Sequence, residues 1–209
     1  MIIIYFVSII PLFGLTNVEE TFNFTYSETF KTLLDKRNGK EIFSFMANGA
    51  QLFIRSAIWP IFIFIILNKE YLAVGAITAL IIIASTILQM FVGFQSDKKS
   101  KKKLIKFGAS IYSIGWIIKS FVKTAFQIFV IGTIHDFSFI VLNTPFMSKV
   151  YNFLSRHETY RDEFSAVRDI AINIGRIIMA LLVVLAIYFF GLKAAFFLAA
   201  FATFLLSLF

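Results

Sequence analysis

The sequence predicts an all-α, polytopic membrane helix bundle, and three observations carry that prediction. The first is composition: of 209 residues, 59% are hydrophobic and only 15% charged, with mean hydropathy +0.83. A water-soluble domain carries about 25% charged residues. The second is distribution, because the polar residues gather between long apolar runs. The third is solvent. Backbone groups in lipid need partners inside the protein, which a helix supplies within one segment and an open sheet does not. The 28 phenylalanines read as lipid-facing filler.

Composition also narrows the function. The net charge of +8 suggests nucleic acid, yet the basic residues sit between apolar spans, where membrane topology accounts for them. No nucleic-acid partner is expected. Cysteine is absent, which excludes disulfides and thiolate metal sites. Two histidines without a close acidic or histidine cluster give no basis for a metal centre. No P-loop is present, so neither ATP nor another cofactor is expected. The nearest approach to an enzyme-like cluster, His157-Glu158 with Asp162-Glu163, reads as an ordinary polar loop.

In chain order, Met1–Leu15 is apolar but shorter than the ~20 residues of a spanning helix. It lacks the basic start and small-residue cleavage site of a signal peptide, and is expected to be the end of a truncated helix. Residues 16–43 form the longest hydrophilic stretch, an inter-helix linker with an amphipathic helix near Tyr26–Leu34. Residues 44–209 hold six apolar segments. Ser44–Leu67 is interrupted by Arg55 and kinked by Pro60. Tyr71–Gln95 follows the turn Asn68-Lys69-Glu70. Leu104–Val122 and Ala125–Met147 come next, the latter bent near its end by Pro145. A second polar loop covers 148–167, then Arg168–Phe190 and, after Gly191-Leu192-Lys193, the final apolar run. That run, Ala194–Phe209, also looks cut. Gly108, Ser110, Gly115, Gly132 and Gly175 are small residues suited to close helix approach.

Lys and Arg are retained on the cytoplasmic side during insertion. If the dense run at 96–106 lies inside, alternation puts 16–43 and 148–167 inside too. The opposite turns then hold Lys69, Lys123 and Lys193, with Lys119 just before the second. The expected location is the cell membrane, crossed several times.

The same run carries a motif. Gly93, Asp97, Lys98, Lys101 and Lys102, with Ser100 in place of a second Gly, resemble the loop signature of the major facilitator superfamily: Gly, three residues, Asp, Arg/Lys, any, Gly, then two Arg/Lys. That family has twelve helices in two six-helix halves and repeats the motif in each. If Met1–Leu15 ends helix six, the run falls between helices eight and nine, where the second copy belongs. The resemblance thus implies the C-terminal six-helix half of such a transporter, completed by a missing N-terminal half. It also implies that Gly93, Asp97 and the lysines form a gating motif that locks one alternating-access state. Independently of the family, Asp97 at a helix end suits the amides of a neighbouring helix start, and the lysines suit anionic lipid. The plain reading is that most of these lysines only set topology.

Charges inside apolar spans mark a pathway or a pairing. Asn48, Gln51 and Arg55 share one helical face, and Asp136, beside His135, lies near the middle of its segment. Arg55 and Asp136 are expected to form a structural pair, or Asp136 to carry a coupling proton, or Arg55 to bind an anionic group on a substrate. His135 reads as a hydrogen-bonded interior residue. Arg168 and Asp169, with Asn173 and Arg176, are candidates for an inner gate. The function expected is secondary transport of a small solute by alternating access at the bilayer midplane, coupled to a proton or other ion. The alternative is a non-transporting assembly or structural protein of the same fold.

Overall fold

The signal Thr25-x-x-Glu28 opens the first long element. In the computed structural model, which describes residues 9–14, 25–93, 101–155 and 161–207, helix α1 spans Tyr26–Leu34, where the amphipathic helix is expected. The Thr25 N–H donates to Glu28 Oε2 at 2.8 Å, and the Glu28 N–H donates to Thr25 Oγ1 at 3.4 Å. This reciprocal cap satisfies two otherwise free donors at the helix start. The bond from the Thr25 backbone is the main cause holding the Glu28 carboxyl below its ordinary 4.5. The cap's contribution is therefore complete above pH 4.5 and fades as the pH falls below it. The protection of α1 amides against exchange, relative to the intrinsic rate at each pH, is expected to fall on acidification through that range, and Glu28→Gln to flatten the dependence. An unchanged pH profile in the variant would contradict the assignment.

Asp35 caps the next turn, a 3-10 turn at Lys36–Asn38 that leads into α2 (Gly39–Phe53). A π-helical turn, Ile54–Ile58, then joins α2 to α3 (Trp59–Ile66). This helix starts at Gly39, before the expected Ser44, and continues through Pro60, where a kink is expected. Its wide turn explains how. Proline lacks an N–H and its ring crowds the carbonyl four residues back. Here the Trp59 N–H reaches past the usual partner to the Ile54 carbonyl, opening the ladder just before Pro60.

The remaining helices are α4 (Tyr71–Gly93), α5 (Lys101–Lys119), α6 (Ala125–Ser155), α7 (Arg161–Phe190) and α8 (Ala194–Leu206); no strand occurs among the described residues. Ile10–Gly14 is a 3-10 turn, where Pro11 removes a donor; most of the expected helix end at Met1–Leu15 lies outside the described residues. Two expectations need correction. The expected loop at 148–167 is largely helix, since α6 continues through Ser155 and α7 begins at Arg161. Within that polar stretch Phe146 and Val150, then Phe164, Val167 and Ala171, keep helical spacing and are buried. The loop at 96–106 likewise gives way to α5 from Lys101 onward.

Among the described residues, four helices are long and apolar enough to cross a membrane: 36–66, 71–90, 125–152 and 164–190. The other two expected spans, at α5 and α8, are not among these four. Helix α8 is described over 13 apolar residues, about 20 Å at 1.5 Å each. Helix α5 has Lys101, Lys102, Lys103 and Lys106 in its opening turns and Lys119 at its end, which leaves a short apolar middle. Much of α4 and α7 presents bare Ile, Leu, Val and aromatic side chains, a surface suited to lipid or another protein and not to water.

Helix α2 packs chiefly on α7, α5 on α6 and α8, and α4 on α6. The α2–α7 contact is the closest. A Cβ at Gly49 would strike the Ile172 carbonyl, and one at Gly175 would strike the Met46 carbonyl. Each glycine thus admits the other helix's backbone, as small residues do where lipid supplies no hydrophobic drive. Gly108 plays the same part for α5, where a Cβ would sit 2.8 Å from the Leu142 Cα on α6.

Candidate functional site: a buried polar and aromatic column

The wide turn points Arg55 from the α2–α3 helix towards α6. Arg55 Nη2 lies 3.3 Å from Asp136 Oδ1, and its guanidinium carbon sits 3.8 Å from the centre of the Phe139 ring. The two side chains are 27% and 22% exposed, so the pair is mostly covered but not sealed. Arg55 Nη1 is buried and has no hydrogen-bond partner. Turns of this π type occur often at functional sites.

One turn earlier, Gln51 Nε2 donates to Asn48 Oδ1 at 2.9 Å, and the Tyr112 hydroxyl of α5 donates to Gln51 Oε1 at 3.1 Å. All three residues are buried. The His135 ring stacks on Tyr112 with centroids 4.1 Å apart, and Trp116 meets it edge-on at 4.5 Å. Gly115 makes room for this histidine, since a Cβ there would strike its ring. His135 lies in the interior, as expected, and neither ring nitrogen has a side-chain partner. The aromatic neighbours fill the space where acceptors would stand.

Beyond Trp116 lies Lys119. The sequence places it at an outer turn; the structure buries it completely. Its Nζ sits 4.0 Å above the Trp59 ring and 4.6 Å from Trp116, with no hydrogen-bond partner. Phe196 of α8 stacks on Trp116, and Phe62 packs edge-on against Phe196 at 4.9 Å. Cation–π contact is worth about 2 kcal/mol when desolvated, whereas an ion taken from water costs several. Two tryptophan faces therefore offset only part of that cost. Tyr112, Trp116 and Lys119 follow one another at helical spacing on a single face of α5, a phase that was available in the sequence.

The other expected site residues stand apart. Gly93 ends α4, while Lys101 and Lys102 open α5; Asp97 and Lys98 lie outside the described residues. Arg168 Nη2 reaches Asp169 Oδ1 at 2.9 Å, Asn173 donates to the Asp169 carbonyl, and Arg176 Nη1 donates to Asn173 Oδ1 at 3.2 Å. These bonds all run within α7, and they do not join the column. Asn173 and Arg176 are exposed although they lie in a helix long and apolar enough to span.

The column thus runs from Asn48 through Gln51, Tyr112, His135 and Trp116 to Lys119, with the Arg55–Asp136 pair beside it. Its chemistry is donor-rich, with two cations, one carboxylate and aromatic walls. Comparisons with protein-family models, curated proteins and solved structures find no match to this chain.

Proposed function

We propose that this chain is part of a secondary transporter that moves a small solute across the cell membrane by alternating access. The observation that carries the reading is the Arg55–Asp136 pair, held three-quarters covered at a wide helical turn within two apolar spans. Charges in such a position are by default candidates for a substrate or ion pathway, and transporters build their sites at broken helices. The exposed Asn173 and Arg176 support the reading, because polar groups on a spanning helix need water or protein against them. In the finer form of the proposal the bundle is the C-terminal half of a major-facilitator-type fold. The linker 16–43 and the loops near 96–106 and 148–167 then face the cytoplasm, and the gating motif closes the inner side.

Flux decides the matter. The protein as it occurs in its own membrane is reconstituted into liposomes with a panel of small anions, cations and neutral solutes, with and without a proton gradient. At least one solute is expected to accumulate, and Asp136→Asn is expected to abolish any gradient dependence. Folded protein that moves no solute would favour the second reading, a membrane assembly protein. The feature on that side is that Arg55 is already engaged by Asp136 and Phe139.

A further inference from the structure

We infer that the cluster around Lys119 binds the carboxylate of a small organic monoanion; that anion's being a substrate rests on the transport reading above. Charge supplies the first argument. The Asp136 carboxylate is engaged by Arg55, whereas no ion pair to Lys119 occurs among the described residues, so the Lys119 ammonium is the charge left to be met. The second is hydrogen bonding. The buried polar atoms without partners include Arg55 Nη1, Trp116 Nε1, Lys119 Nζ and the two His135 nitrogens. The first three are obligate donors, and His135 supplies at least one more. Such a set calls for an acceptor, and buried polar groups are seldom left without one.

With no exposed surface, Lys119 meets a ligand only when the helices around it part, as alternating access requires. The walls then limit the ligand's shape. Trp59 and Trp116 hold their rings against the ammonium, with Phe62 and Phe196 packed on those rings, which favours an apolar body behind the charged head. A cavity of about 160 Å³ reaches His135 and Gly115 from the α5–α6 side, walled by isoleucines of both helices. That volume suits a body of a few carbons. A multiply charged phosphate would meet too little positive charge here.

The tryptophans provide the readout. The chain has two, and both touch Lys119, so intrinsic emission reports on this cluster alone. The purified full chain in lipid nanodiscs is titrated with cyclohexanecarboxylate, acetate and the neutral cyclohexanecarboxamide. The carboxylates should change the emission saturably and the amide should not. Lys119→Met should weaken the carboxylate response at least tenfold, with Lys119→Arg retaining more of it. Circular dichroism checks that both variants are folded. Should Lys119→Met misfold, Arg55→Gln carries the same test, because it removes the second cation without emptying the cage. An emission that ignores all three compounds, or that answers the amide as well as the acid, overturns the inference and leaves the polar atoms to ordered water. Binding in the absence of flux would sink the transport proposal alone. Flux of a neutral or cationic solute that Lys119→Met leaves intact would sink this inference alone.

Discussion

Gly175→Leu is expected to abolish the folded bundle. Any side chain at this position is driven into the Met46 carbonyl of α2, and Gly49 faces the Ile172 carbonyl of α7 in the same way. The obstacle on each side is backbone, which cannot turn aside as a flexible side chain does. Overpacking commonly costs about 1–3 kcal/mol when neighbours adjust, so Gly175→Ala should already lie at or above that range. Leucine forces the helices apart along the most extensive contact in the bundle, in a fold whose whole stability is about 5–15 kcal/mol. Gly75→Leu is the control, since nothing lies within 4 Å of a Cβ there. Thermal unfolding in detergent, followed by circular dichroism and light scattering, should show a near-unchanged midpoint for the control and aggregated protein for Gly175→Leu. A wild-type midpoint in Gly175→Leu would mean that α2 and α7 do not pack this way.

Removing one member of the Arg55–Asp136 pair is expected to hurt more than removing both. Asp136→Leu leaves a mostly covered guanidinium against the Phe139 ring without its carboxylate. Breaking a fully buried pair costs about 3–5 kcal/mol; with roughly a quarter of each side chain exposed, about 2–3 kcal/mol is expected here. The double change Arg55→Met with Asp136→Leu should recover most of that loss, because apolar groups of similar volume replace an ion pair at little cost. Unfolding midpoints of the four proteins form a double-mutant cycle. If the two single losses simply add in the double variant, the residues are not coupled and their proximity is incidental.

Some of this was legible in the residues alone. Asn48, Gln51 and Arg55 recur at helical spacing, so their common face follows from phase, while the meeting of Arg55 with Asp136 is one of three readings that the sequence leaves open. The Thr25–Glu28 cap announces α1 directly. Lys119 was hidden because a single lysine near the end of an apolar helix reads as one that reaches out to the interface. Its two tryptophan partners sit on different helices, and no local pattern links Trp59 to Trp116. The helical stretches at 148–155 and 161–167 were obscured by their charges, which outweighed the buried phase of Val150, Phe164 and Val167. Pro60 signalled a disturbance, but a broken ladder and a widened one share that signal.

The wide turn at Ile54–Ile58 also sets a count. A π turn holds one residue more than the α-helix around it needs, and that residue keeps two stripes in register across the proline. Below it Asn48 and Gln51 face the column; above it Trp59, Phe62 and Ile63 face the core. In a chain one residue shorter here, the ladder closes into ordinary α-helix and everything beyond rotates by about 100°. Trp59 then leaves Lys119 for the outer surface while every helix survives. The Trp59–Lys119 contact is thus set partly by an interval, and a conservative-looking deletion in this turn undoes it without removing a helix.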